Sequence, residues 1–167
     1  MMLQIPKIIN ENFYSWFGKS KIIDGNGKEQ ICYHKSRTVE PFLEFLHHLG
    51  YKNDYNQCYG FYFVAEYHKS YIDYIGNGIE FYVFIKMENP FYFYDNGRGD
   101  IKDMTNKKHD YIEITKPFCE NLESQGYDGI IILCESNYNQ YVVWHGNQIK
   151  SIDNNGSYSS EINNIYS

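Results

Sequence analysis

Three short stretches carry the side chains best suited to chemistry: Tyr33-His34-Lys35-Ser36, Gly60-Phe61-Tyr62-Phe63 and Gln140-Tyr141-Val142-Val143-Trp144. Each reads as a strand edge presenting one polar or aromatic group: an imidazole, a phenol and an amide. Taken singly, a histidine at a strand end is most often structural, and an alternating aromatic strand is usually core. Their order and spacing in one chain are what make them a candidate site. Lys19, Lys21, Lys28, Lys35 and Arg37 gather around the first stretch. They would meet a phosphate-bearing ligand there, or they are solvated charges on a hairpin.

Composition bounds what those stretches can belong to. A chain of 167 residues fits one domain with a single core. With 18 Tyr, 11 Phe and Ala65 as the only alanine, it favours strands over amphipathic helices. A formal net charge of -6 argues against a sequence-independent grip on nucleic acid, which needs a basic face. Cys32, Cys58, Cys119 and Cys134 lie far apart, without the spacing of a zinc site or a redox pair, and read as free thiols in a reducing compartment. Residues Met1 to Asn10 lack a basic region followed by a long apolar one, and no window has the apolar length of a membrane span. A soluble, cytoplasmic protein is expected.

The elements that must position the three stretches follow from local signals. Asn12 is placed to cap a helix through Phe13, Trp16 and Phe17 that stops at Gly18. Asp24-Gly25-Asn26-Gly27 turns a strand at Lys21 to Ile23 into one at Gln30 to His34. Thr38 starts a helix with Phe42, Phe45, Leu46 and Leu49 on its inner face and Gly50 at its stop. After a loop from Tyr51 to Tyr59, a strand at Phe61 to Val64 leads into a short helix, Glu66 to Ile75. Strands are expected at Ile79 to Met87 and Phe91 to Tyr94, separated by Asn89-Pro90. Asp95 to His109 reads as loop. Thr115 caps a helix with Phe118 and Leu122 inward and Gly126 at its end. Gly129 to Cys134 and Gln140 to Trp144 form a hairpin, and the Asn- and Ser-rich tail from Asp153, above all residues 158–167, is expected to fray. Strands mixed with short helices, without a glycine-rich phosphate loop, point to an α+β fold.

Several of these pieces resemble one family. The run Phe13 to Asp24 with Trp16-Phe17-Gly18, then Asn26-Gly27 and Cys32-Tyr33-His34, looks like the opening of the ADP-ribosyltransferase domains of phage polyvalent and head-morphogenesis proteins. These belong to the histidine-tyrosine-glutamate clade. Ile85 to Phe91 resembles that family's strand ending in Asn-Pro, and Gly126-Tyr127-Asp128-Gly129-Ile130 followed by Gln140 to Lys150 resembles its final hairpin. The resemblance runs over nearly the whole chain, which is then one domain over residues 1–167. It implies a split β-sandwich of two small, mainly antiparallel sheets with short helices.

The resemblance also implies an activity: cleavage of NAD, as substrate and without a metal, and transfer of its ADP-ribose. Carried over by position, His34 bonds a ribose hydroxyl, Ser36 is the hydroxyl residue two places on, and the backbone beside His34 meets the nicotinamide carboxamide. Lys35 stands where a glycine is usual. Tyr33 flanks that strand edge, Tyr62 is the tyrosine of the second strand, and Tyr71 or Tyr74 on the following helix supplies a stacking face. Gln140 stands where the family carries its catalytic glutamate. A fixed carboxylate there stabilises the positive charge that builds on the ribose as nicotinamide leaves. An amide keeps the hydrogen bond and loses the charge, which costs on the order of 10²–10³ in rate and only roughly 1 kcal/mol in binding. Glu135 could lend a carboxylate from the hairpin loop. The implied function is a mono-ADP-ribosyltransferase of phage or prophage type acting in a host cytoplasm on a macromolecular acceptor, protein rather than nucleic acid, with no membrane partner. The alternative is a transferase-fold binding protein or inhibitor that has abandoned the chemistry, and a third reading is an NAD hydrolase.

Overall fold

Aromatic and β-branched residues in alternation form the strands of this molecule. A computed structural model describes residues 6, 8–46, 59–98, 100–135 and 138–167. The chain opens with helix α1 (Glu11–Phe17), whose Phe13, Trp16 and Phe17 are buried and which ends at Gly18 with φ +58°. Its cap is Asn10, not Asn12: the Asn10 side chain accepts the Phe13 N–H at 3.1 Å. Asn12 instead donates to the Gly156 carbonyl at 3.0 Å. The strand expected at Lys21 to Ile23 shrinks to a single bridge, Ile23 to Glu29. Asp24 closes that turn by accepting from the Asn26 and Lys28 amides.

Among the described residues nine strands follow: β1 (Cys32–Ser36), β2 (Phe61–Ala65), β3 (Ile79–Ile85), β4 (Pro90–Asp95), β5 (Ile101–Asp103), β6 (Lys108–His109), β7 (Gly129–Cys134), β8 (Gln140–Val143) and β9 (Ile149–Ser151). A 3-10 helix, Glu66–Ile75, follows β2, and helix α2 (Lys116–Ser124) precedes β7. The order across the sheet is β6-β5-β4-β7-β8-β2-β1-β3-β9. All pairings are antiparallel except β4 with β7, whose connection carries α2. The α+β class is as expected. The two expected halves, β6 to β8 and β2 to β9, are joined through the β2–β8 ladder into one open, mixed sheet.

Alternation along the strands divides the core between the two faces. One face holds Cys32, Phe63, Ala65, Phe81, Val83, Ile131, Tyr141 and Val143, covered by Phe42, Phe45 and Ile165. The other holds Phe91, Phe93, Ile130, Ile132, Val142 and Trp144 under Cys119 and Leu122 of α2. A third cluster gathers around α1 with Phe84, Ile152 and Tyr158. Cys32, Cys119 and Cys134 are free thiols, and Cys58 lies outside the described residues. Among the described residues no helix is long and apolar enough to cross a membrane.

Three local expectations are corrected. The helix expected from Thr38 is not formed over residues 38–46, and its end at Leu49 and Gly50 lies outside the described residues, as does most of the loop from Tyr51. The Thr38 hydroxyl bonds the Ser36 hydroxyl and the Glu40 carbonyl, while its own carbonyl accepts from the Ile79 N–H. Local hydroxyl bonds of this kind compete with helical ones. Phe42 and Phe45 still reach the core from an irregular backbone. Within Asp95 to His109, β5 and β6 form a small hairpin in place of an all-loop segment. The tail is pinned where fraying is expected: Asn154 holds the Gly156 and Tyr158 amides and the Ile165 carbonyl, and Ile165 is fully buried. The buried Lys150 ammonium, which burial pushes down to about 8, donates to the Ile162 and Asn164 carbonyls at 3.1 and 2.9 Å.

Candidate active site

The first two motif strands pair only briefly. β1 and β2 share two residue pairs, Cys32 with Ala65 and Tyr33 with Val64, whereas β1 follows β3 for five pairs as far as Ser36. Pairing with β2 thus stops at His34, and the imidazole takes over. His34 Nδ1 lies 2.7 Å from the Tyr62 carbonyl oxygen. A carbonyl only accepts, so Nδ1 carries the proton. Burial pushes the imidazole below its ordinary 6.5, against a weaker upward pull from the Tyr62 carbonyl. The ring is therefore neutral at pH 7 and its Nε2 is an acceptor. Phe45, Phe63 and Phe81 enclose it, with centroids at 5.1, 5.3 and 6.2 Å.

Gln140 and Tyr62 lie on the opposite face of the sheet from this ring. Gln140 is paired with Val64 and Ile132, and Tyr62 with Val142. β1 and β2 part beyond the pair Tyr33 and Val64. His34 and Tyr62 are joined there directly, through the backbone carbonyl. Lys35 and Tyr33 point to the Gln140 face. Lys35 Nζ reaches 4.0 Å from Asp73 of the 66–75 helix, and Lys35 is paired with Glu80 of β3. Tyr33 is fully buried and its hydroxyl donates to Glu80 at 2.9 Å, so its phenol is committed to packing beneath Lys69 and beside Tyr82. The Ser36 hydroxyl pairs with that of Thr38 at 2.9 Å and is exposed. Tyr71 is half-exposed and lies against Tyr138, with centroids 4.6 Å apart and planes tilted at 36°. The Tyr74 side chain lies outside the described residues.

The family described as ADP-ribosyltransferase in polyvalent proteins matches residues 24–159, a span that contains every one of these groups. The chain belongs to that family. No curated protein and no solved structure matches it.

Within this ADP-ribosyltransferase domain the surroundings of Gln140 are the least expected part. Cys134 of β7 touches the Gln140 amide; burial and then the nearby Asp95 carboxylate push its thiol up to about 11, against a small lowering by that amide. Asp95 is paired with Cys134 across β4 and β7, and its carboxylate accepts from the Tyr111 hydroxyl at 2.6 Å and the Gly97 amide at 2.7 Å. Glu135 is exposed at the end of β7, its amide bonded to the Asp95 carbonyl. Sequence reading passed over Asp95 and Tyr138. Tyr138 stands two residues before Gln140, a spacing that in an extended chain returns to the same face, and that was the available signal. Asp95 carried none, since its place depends on the β4–β7 pairing.

Proposed function

We propose that this ADP-ribosyltransferase domain uses NAD and transfers a single ADP-ribose to a macromolecular acceptor, a protein rather than a nucleic acid, in the cytoplasm of a phage-infected host. The observation that carries the reading is the His34 Nδ1 bond to the Tyr62 carbonyl where β1 and β2 part. It leaves Nε2 as an acceptor, the role that a ribose hydroxyl would need. In this reading the backbone at Lys35 meets the carboxamide, Ser36 stands at the rim, and Tyr62 with Tyr71 or Tyr74 flanks the nicotinamide. Gln140 sits beside the ribose. The bond between nicotinamide nitrogen and ribose C1′ breaks, its electron pair leaves with neutral nicotinamide, and the oxocarbenium-like carbon is taken by the acceptor's nucleophile. The Gln140 amide oxygen offers a dipole to that charge where a glutamate would offer a full one, so turnover is slow. A second ADP-ribose is not added, since no carboxylate stands at Gln140 to activate an acceptor ribose.

The substitution at Gln140 also favours one rival, a domain that binds NAD or a protein partner without turnover. Incubation with NAD labelled in the adenylate, with and without host extract, separates the two. Nicotinamide release that disappears in His34→Ala supports the transferase; calorimetric binding of NAD without release supports the binder. Release that survives His34→Ala removes this site from the reaction.

A further inference from the structure

Ile165 ties residues 162–167 to the segment that walls the His34 ring. Its carbonyl accepts from the Ser151 N–H of β9 at 2.8 Å and from the Asn154 side chain at 3.1 Å, while its own N–H donates to the Leu43 carbonyl at 2.9 Å. Its side chain is fully buried in the cluster against which Phe42 and Phe45 pack. Phe45 lies 5.1 Å from the His34 ring, centroid to centroid, and Phe42 meets Phe45 edge-on at 5.0 Å. Residues 38–46 form neither helix nor strand, so bonds from distant residues set their place. Lys150 of β9 fastens the same stretch. It is fully buried, and with its titration near 8 it is mainly the ammonium at pH 7, whose three donors meet the Ile162, Asn164 and Ser167 carbonyls.

We propose that residues 162–167 form a strap, fastened by Lys150, that holds Phe45 against His34 and so keeps the imidazole buried. The inference rests on the His34 site of the reading above, and not on turnover of NAD there. The ring is enclosed by Phe63 of β2, Phe81 of β3 and Phe45, and burial rather than a neighbouring charge displaces its titration from 6.5. Its protonation therefore reports how closed the wall is. Unfastening the strap gives up the bond to the Leu43 carbonyl, withdraws Ile165 from the cluster and lets Phe45 move off the ring. Water then reaches the imidazole. Lys150 and Ile165 act through Phe45 and are positioning residues.

The test needs no NAD. Amide hydrogen exchange at pH 7 and the His34 titration are followed by NMR on the full chain, wild type against Lys150→Met. The variant keeps the apolar stem and removes the donors, so the three carbonyls turn to water and the Ile165 amide exchanges about tenfold faster. The amides of β7 keep their wild-type rates, and the His34 titration moves up toward 6.5. Phe45→Leu removes the wall without unfastening the strap: His34 moves up and the Ile165 amide stays protected. Ile165→Ala empties the strap's place in the cluster, raises His34 likewise, and stands in should Lys150→Met fail to fold. Faster exchange at Ile165 with His34 unmoved overturns the inference, as does an Ile165 amide indifferent to Lys150→Met. Exchange that quickens equally in β7 assigns Lys150 to global stability and overturns it too. None of these results bears on nicotinamide release, so failure of the strap leaves the transferase reading standing, and absence of release leaves the strap standing.

Discussion

Gln140→Glu is the substitution on which the chemistry turns. The variant must gain rate if an oxocarbenium-like ribose lies beside position 140. The strand register sets Asp95 on the same side of the sheet as the introduced carboxylate. Phe93 pairs with Ile132 and Ile132 with Gln140, so Asp95 stands two strands over and two residues further on. At ordinary sheet spacing that is about 12 Å between Cα atoms. With an effective dielectric of about 20 the repulsion is about 1.4 kcal/mol, close to one pKa unit. Repulsion from Asp95 and half-burial both raise a glutamate at this position above its ordinary value. The substitution should raise nicotinamide release by about 10²–10³ while changing NAD affinity little. Release is measured by chromatography and affinity by calorimetry on the same preparation. The Cys134 thiol, already at about 11, rises further and alkylates more slowly, which reports that the new charge is in place. Unchanged release with NAD bound and Cys134 slowed would refute the electrostatic argument, because the charge would be present and without effect.

Two further outcomes concern protonation. His34 titrates lower in the native state than unfolded, so the unfolded chain binds more protons below the ordinary 6.5; this contribution to stability is complete above that pH and falls away as pH drops through the depressed native value. Denaturant melts between pH 5 and 8 should show that loss, NAD affinity should decline over the same window as Nε2 is protonated, and His34→Phe should remove both. Asp103 is held at about 2: burial would raise it, but bonds from Thr105, His109 and Lys107 prevail. It therefore contributes about 1–2 kcal/mol above pH 3.8 after allowance for screening, lost as pH falls toward 2. Asp103→Asn should abolish that acid-side slope in thermal melts, and a slope of undiminished size would assign the acid sensitivity to other groups.

Signals confined to a few neighbouring residues were read well. The apolar spacing of Phe13, Trp16 and Phe17, the glycine at position 18, and Phe118 with Leu122 before Gly126 describe helices that form as expected. The β7–β8 hairpin and the 66–75 helix also stand where turn and cap residues put them. Failures arose where a distant partner outbid a local preference. Thr38 carries a sound start signal, yet Ile79 and Leu43's partner Ile165 draw that segment's carbonyls into other bonds. The Asn-rich tail looks too polar to order, yet Lys150 and Asn154 supply buried donors for its carbonyls.

By itself the sequence determined the family, the strand-rich α+β class and the order of the imidazole, phenol and amide along the chain, because periodicity and motif spacing are properties of neighbouring residues. Only tertiary structure decided which of them meet. The short β1–β2 ladder hands the Tyr62 carbonyl to His34, and that contact fixes the imidazole tautomer. The β4–β7–β8 register brings Asp95 and Cys134 toward Gln140, and packing of the 66–75 helix sets Tyr71 against Tyr138. The physical reason is that a side chain's protonation and reach depend on burial and on partners tens of residues away, for which a linear pattern holds no record.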